Sequence, residues 1–289
     1  MRLRDRTCVV TGATRGLGMR IANRFWREGA SLFLAGRDSA ALDSLAKSLQ
    51  GTPGGDQRLV VFSGDLSVPA TADELVSRVV AEFGAVTALV NNAAVVGPIG
   101  PLWENDSARW EETIRVNLLT PAALCALVIP EMQKQGYGKI VNLSGGGATG
   151  PRPYFSAYAT AKAGLVRLTE VLAHETRNMN IDVNSVAPGV MPTGMLEEII
   201  AAGPAQAGTA EFAQVQRHSG DSTETMERAA QLIEFLVSAE SDGVTGRLIS
   251  AVWDPWEGLA QRRQLLDESD IYTLRRIVPK DRGMDWRAD

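Results

Sequence analysis

Tyr158 and Lys162 stand four residues apart in the run Tyr158-Ala-Thr-Ala-Lys162. On a helix that spacing stacks both side chains on one face about one turn apart, which sets a phenol beside an ammonium. The positive charge favours phenolate, so the pair is expected to lower the tyrosine pKa from its reference near ~10. A phenol tuned in this way can pass a proton near neutral pH. The same spacing arises by chance on many helices, so the pair gains meaning only from what surrounds it.

A second chemical stretch lies near the start of the chain. Gly12-Ala-Thr14-Arg15-Gly16-Leu17-Gly18 follows an apolar, β-branched run and precedes a segment of helical periodicity. Glycines there let a backbone pass close to a pyrophosphate, and the helix N-terminus stabilises its charge. The bland alternative is a strand–helix turn that merely needs glycine. Further on, Gly36 and Arg37 stand where an NAD-preferring site usually carries an acidic residue for the ribose hydroxyls. Arg15 and Arg37 offer two guanidinium groups for a 2′-phosphate, which favours NADP(H) while leaving NAD(H) compatible. Two solvated surface arginines are the competing reading.

These residues need a scaffold. Short apolar runs predict strands over 7–11, 31–35, 58–62, 85–90, 139–143, 181–187 and 247–252. Amphipathic patterns predict helices over 19–28, 39–49, 70–83, 107–115, 121–135, 156–178 and 224–239. Strands and helices alternate throughout, so the expected fold is α/β, a Rossmann-type doubly wound parallel sheet of about seven strands with helices on both faces. Asp65-Leu66 and Asn91-Asn92-Ala93-Ala94 then fall at strand ends, where amide side chains can tie loops together and small residues leave room for a cofactor. Asn117 sits between two helices in an apolar setting and needs hydrogen-bond partners. Residues 195–220 are mixed and Ala/Gly-rich, and read as a mobile lid over a cleft.

Composition narrows the function classes. The chain has 289 residues, 45% of them hydrophobic and 22% charged, with a net charge of −5. That balance argues against a nucleic-acid surface. No signal-peptide pattern opens the chain, and no uninterrupted apolar run approaches the ~18 residues that would suggest a bilayer span, so no membrane partner is expected. Cys8 and Cys125 both lie in apolar patterns and read as buried thiols, which suggests a cytoplasmic location. His174 and His218 lack ligand-like companions, so no metal site is expected; His218 could contact substrate from the lid.

Taken in order, Thr11-Gly12-x3-Gly16-x-Gly18, Asp65, Asn91-Asn92-Ala93-Ala94, Asn117, Tyr158-x3-Lys162 and Pro188-Gly189-x3-Thr193 resemble the short-chain dehydrogenase/reductase family over about residues 5–250. The resemblance implies an oxidoreductase that interconverts a ketone and a secondary alcohol on a small organic substrate. Tyr158 would be the general acid or base, Lys162 would lower its pKa and hold the nicotinamide ribose, and Asn117 would support a proton relay to solvent. Gly12, Thr14, Arg15, Gly16, Leu17 and Gly18 would cradle the cofactor. Asp65 and Leu66 would meet the adenine, and Asn91 and Ala93 the adenosine ribose. Pro188, Gly189 and Val190 would pass beside the nicotinamide, with Thr193 on its carboxamide.

Two departures stand out. The family serine usually lies thirteen residues before the tyrosine, and here that position is Gly145. Ser144 fills the role if the proline-rich loop 150–155 carries one extra residue. The second departure is the tail. Residues 1–252 read as one Rossmann-type domain, and 253–289 as an extension packing on the core or on a neighbouring subunit and helping to enclose the substrate pocket. The family implies a homo-oligomer, a dimer or tetramer. Two other readings stand beside the main one: a catalytically weakened nucleotide-binding regulator, and an epimerase or dehydratase of the same fold.

Overall fold

In the computed structural model, residues 1–51, 55–191, 194–217 and 223–286 are described. The chain alternates strands and helices as the periodicity predicts. β1 (Thr7–Thr11), α1 (Gly16–Arg27), β2 (Ser31–Gly36), α2 (Ser39–Gln50), β3 (Leu59–Ser63), α3 (Ala70–Phe83) and β4 (Ala88–Asn91) form the first half. The second half carries α4 (Ser107–Ile114), α5 (Thr120–Gln135), β5 (Gly138–Leu143), α6 (Ser156–Glu175) and β6 (Ile181–Ala187). It ends with α7 (Gly194–Ala207), α8 (Thr209–Arg217), α9 (Thr223–Val237), β7 (Leu248–Ser250) and α10 (Arg263–Asp267). The seven strands form one parallel sheet in the order β3-β2-β1-β4-β5-β6-β7. The order reverses between β1 and β4, and at such a switch point the strand ends splay to leave a crevice.

The inner strands are buried on both faces, which is why they read as continuous apolar runs rather than alternating ones, while the outer strands β3 and β7 are only partly buried. On one face Ile21 and Phe25 of α1, Leu42 and Leu45 of α2, and Ile233 and Leu236 of α9 cover Cys8, Val10 and Leu34. On the other face Leu75 and Val79 of α3, with Leu124, Val128 and Met132 of α5, cover Val9, Leu89 and Ile140. Burial pushes both thiols, Cys8 and Cys125, up to about 12, which keeps them protonated and inert.

Several boundaries differ from expectation, each for a local reason. α1 begins inside the glycine stretch at Gly16. α6 stops at Glu175, and the Thr176 hydroxyl, 2.9 Å from both the Leu172 and Ile181 carbonyls, ties the helix end to the start of β6. β7 is short because Asp254 accepts from the Ser250 N–H at 2.6 Å and turns the chain out of the sheet. The mixed segment after residue 194 forms α7, kinked at the non-helical Gly203 (φ 73°, ψ 173°), and α8, with Gly208 (φ 82°) between them.

α4 and α5 run on through a π-helical turn, Arg115–Leu119, so that Ser107–Gln135 is helical throughout. An 18-residue window of it has mean hydropathy 1.5, long and apolar enough to cross a membrane by length and composition. Of that window, 44% is buried inside the protein, as in a core helix packed on a sheet. Polar and charged residues interrupt its sequence, so the helices expected over 107–115 and 121–135 join into one apolar helix without any uninterrupted apolar run of that length.

The segment after β7 is part of the core. Trp256, Leu259 and Leu266 are buried, and the Trp256 ring lies 5.9 Å from that of Phe235. The buried Arg247 guanidinium donates to the carbonyls of Leu266, Ser269 (3.0 Å) and Ile271 (2.8 Å). The Leu248 N–H at the open edge of β7 donates to the Tyr272 carbonyl at 2.8 Å.

Candidate active site

The cofactor cradle is built by close approach of two backbones. Gly12 adopts φ 65°, and a Cβ placed on it would stand 2.9 Å from Ala93 Cα. A Cβ on Gly18 would stand 2.1 Å from the Gly12 carbonyl oxygen and 2.6 Å from Asn92 Nδ2. Only glycine fits at either position. Asn92 holds the loop in place: its Nδ2 donates to the Thr11 and Gly12 carbonyls at 2.9 and 3.1 Å. The result is a bare backbone floor at the start of α1, opening into a cavity of about 710 Å³. Gly12, Thr14, Arg15, Gly16, Leu17 and Gly18 all line it.

Arg37, Asp38, Asp65 and Leu66 continue the wall from the ends of β2 and β3. A Cβ on Gly36 would stand 2.7 Å from Thr14 Cγ2, so no carboxylate side chain can rise from that position without a shift. Asp38 turns its carboxylate to the Ala41 N–H at 2.9 Å, capping α2. Asp65 accepts from the Ser67 N–H at 2.9 Å, and that bond, with Arg37 nearby, holds its carboxyl below the usual range. Arg15 and Arg37 are exposed, and neither has a carboxylate partner among the described residues. The Arg15 guanidinium lies against Gly194 at the start of α7, where a Cβ would meet its Nη1 at 2.8 Å.

At the other end of the cavity stand Leu143, Ser144, Tyr158, Lys162 and Pro188. Tyr158 and Lys162 rise from the first turns of α6, with Lys162 Nζ 5.7 Å from the phenol ring centroid. The ammonium is buried and donates to the Leu143 carbonyl at 2.6 Å. Burial lowers Lys162 to about 8. Burial also raises the Tyr158 pKa, and the opposing charge is that of Arg152. The expected depression of the phenol pKa by Lys162 is not found in the free protein: desolvation raises it, and the charge that works against that rise is Arg152. Ser144 is buried, and its Oγ has no hydrogen-bond partner among the described residues. Gly145 faces the phenol directly: a Cβ there would stand 2.4 Å from Tyr158 Oη.

Some expected residues lie elsewhere. The Asn91 side chain is buried beside Cys125 and donates to Asn142 Oδ1 at 2.9 Å, inside a polar chain that continues to Thr169 and Ser185. It serves the packing of β4 on β5 and does not line the cavity, because adjacent strand residues point to opposite faces. Asn117 is fully buried, with its Oδ1 accepting from Val95 N–H at 2.9 Å and its Nδ2 donating to Val95 carbonyl at 2.8 Å. Its amide thus braces the loop after β4. Gly189 sits against Val252 and Thr225, and Val190 packs on an apolar cluster, so neither is in the cavity wall. Thr193 and His218 lie outside the described residues.

Met195 and Glu197, from the stretch expected to form a lid, line the cavity, and so do Met191, Gly194, Val95 and Val116, which belong to no motif singled out in the sequence. Met191 and Gly194 come from the unpatterned segment after β6. Leu196, Ile199 and Ala207 of α7 and Val215 of α8 close with Val96 and Phe155 over Tyr158. No described residue after 252 lines this cavity. The tail instead helps wall a separate cleft of about 480 Å³ against the outer end of α6.

A model of the short chain dehydrogenase family matches residues 6–203. The chain is 34% identical over 251 residues to the 3-oxoacyl-(acyl-carrier-protein) reductase FabG of Thermotoga maritima, covering 86% of this chain and 97% of that protein. It is 29% identical over 258 residues to a D-beta-hydroxybutyrate dehydrogenase of Rhizobium meliloti, covering 85% and 96%. Among solved structures it resembles levodione reductase with a TM-score of 0.77 at 26% identity, covering 90% and 99% of the two chains.

Proposed function

The chain belongs to the short-chain dehydrogenase/reductase family, whose members oxidise alcohols or reduce carbonyls, and from that premise we propose an NADP(H)-preferring enzyme that interconverts a ketone and a secondary alcohol. The observation that carries this reading is one continuous cavity. It holds a glycine cradle at one end and Tyr158, Lys162 and a buried, unpartnered Ser144 Oγ at the other.

The residues present fit a dinucleotide. Side chains at Gly12 or Gly18 would fill the cradle, and the bare floor at the α1 N-terminus suits a pyrophosphate. Arg15 and Arg37 would hold a 2′-phosphate, and the crowding of Gly36 by Thr14 supports the phosphorylated cofactor over its NAD counterpart. Ala93 and Leu66 would flank the adenosine, Pro188 the nicotinamide. Bound nicotinamide supplies or accepts the hydride.

The protein's own task is to position and to move a proton. Tyr158 Oη gives its proton to the carbonyl oxygen in reduction and takes it back in oxidation. Lys162 holds the ribose and keeps a positive charge beside the phenol. Ser144 Oγ, with no partner among the described residues, donates to the same oxygen as charge develops there. The apolar faces of α7 and α8 exclude water and suit a substrate with an apolar body. The names of the relatives make 3-oxo and 3-hydroxy acyl compounds the first substrates to try.

The test is NADPH and NADH consumption with a panel containing ethyl 3-oxobutanoate, cyclohexanone and 3-oxobutanoate. NADPH is expected to support the faster turnover. Tyr158→Phe is expected to abolish it and Ser144→Ala to reduce kcat about 100-fold. Full turnover by Tyr158→Phe would end the proton-transfer assignment, and an unchanged Ser144→Ala would end the serine's.

A further inference from the structure

We propose that Arg152 is a positioning residue for proton transfer at Tyr158, and that Glu211 on α8 sets how strongly it acts. The proposal rests on the reading of Tyr158 as the acid or base. It concerns a cation that belongs to none of the motifs described above.

The sequence makes room for that cation. Gly145, Gly146 and Gly147 leave a side-chain-free strip beside the phenol. A Cβ on Gly146 would meet the Arg152 guanidinium carbon at 3.7 Å, and one on Gly147 would meet Arg152 Cβ at 3.1 Å and Ala159 Cβ at 2.7 Å. Arg152 therefore lies along the glycine strip. Its guanidinium carbon stands 4.1 Å from the Phe155 ring centroid and 5.5 Å from that of Tyr158. The loop that presents it is held by an unusual backbone: Tyr154 adopts φ 71° and its carbonyl accepts from the Gly100 N–H at 2.9 Å.

The charged neighbours of Tyr158 are few. On its own helix there is Lys162. From the loop before α6 comes Arg152, and from α8 Glu211, which pairs with Arg152 through both Nε and Nη2. Arg15 from the turn before α1, Glu197 from α7, and Arg37, Asp38 and Asp65 from the ends of β2 and β3 line the same cavity. Of these, Arg152 is the charge that opposes the upward push of burial on the phenol. Its side chain is only 18% exposed and that of Glu211 22%, so water screens the group incompletely.

The arrangement has an adjustable element. Glu211 neutralises part of the Arg152 charge while α8 is docked. If α8 shifts, the guanidinium acts on Tyr158 at full strength and the phenol becomes a stronger acid. Lid position and proton affinity are thus coupled through one ion pair.

The test reads the phenol directly and needs no substrate. The full chain is labelled with 3-fluorotyrosine, which lowers phenol titration into a range where the fold persists, and followed by 19F NMR. The Tyr158 signal is identified by its loss in Tyr158→Phe. Arg152→Gln is expected to raise the Tyr158 midpoint by about one unit, and Arg152→Lys to restore most of it. Glu211→Gln is expected to move the midpoint the other way. Midpoints that stay put, or that move together in Arg152→Gln and Glu211→Gln, would reduce the pair to a structural clamp on α8 and overturn the proposal. Normal turnover by Tyr158→Phe would instead overturn the underlying assignment while leaving the titration result standing.

Discussion

Lys162 has no carboxylate partner among the described residues; its ammonium rests on one carbonyl, that of Leu143. A buried lysine in that state favours losing its proton, and burial takes it from its ordinary 10.5 to about 8. The folded chain then binds fewer protons than the unfolded chain between about 8 and 10.5, so stability contributed by this site rises with pH across that window. The full effect is on the order of 3 kcal/mol. Cys8 and Cys125 act in the opposite sense above their ordinary 9.0, because the fold retains their protons. Comparison of Lys162→Met with the parent chain isolates the lysine. Urea unfolding of the cofactor-free protein at pH 7 and pH 10 should show the variant more stable at pH 7 and the advantage shrinking by about 2 kcal/mol or more at pH 10. An advantage independent of pH would show that Lys162 stays charged throughout. At this scale the sequence was readable wherever chemistry is local. Tyr158, Lys162 and the glycine run announce themselves by spacing. Asn91 and Asn92 do not, because which of two adjacent strand residues faces the crevice depends on the sheet's neighbours on either side. Arg152 was hidden for a similar reason: nothing in a proline-rich loop says that its arginine folds back over a strip of glycines.

The elements place the site by ending where they do. The crevice exists because β1 and β4 are neighbours whose crossovers leave on opposite faces, and that alternation was legible as a string of apolar runs and amphipathic periods. The lid was less so. Gly203 (φ 73°, ψ 173°) breaks α7 with a kink and Gly208 separates it from α8, so the helical period is interrupted every few residues and is hard to read. The segment after β7 was least legible, since its order comes from side-chain-to-carbonyl bonds that leave no periodicity. Arg247, a residue just 7% exposed, carries much of that burden, with three carbonyl acceptors for its guanidinium. Removal of the guanidinium strands those acceptors at a cost of about 1–3 kcal/mol each where they stay dry. Arg247→Met should therefore release the segment near α10 to limited proteolysis while residues before β7 remain protected. Proteolysis kinetics equal to those of the parent chain would show that the guanidinium is dispensable.

At the scale of the whole molecule, the tail decides what one edge of the sheet presents to other chains. β3 and β7 are the two outer strands, and β7 has one flank paired with β6. On its other flank the Tyr272 carbonyl takes the Leu248 N–H, and the Leu274 N–H continues the anchoring on the buried Glu170 carboxylate at 2.6 Å. Trp256, Leu259 and Leu266 meanwhile complete the apolar layer that α9 begins. An uncovered edge is a template for pairing with another chain, and an uncovered apolar layer adds to the drive. Truncation after Ser269 tests chiefly the edge: it keeps Trp256, Leu259 and Leu266 and removes Tyr272 and Leu274, together with the Ile271 carbonyl that accepts from Arg247. The truncated chain should keep the far-UV circular dichroism of the parent, lose several degrees of Tm, and form larger, concentration-dependent particles in sizing with light scattering. Truncation after Val252 strips the apolar layer as well and should lower Tm further. If the shorter cut leaves both particle size and Tm unchanged, Tyr272 does not guard the β7 edge, and the tail's contribution ends with the burial of Trp256, Leu259 and Leu266.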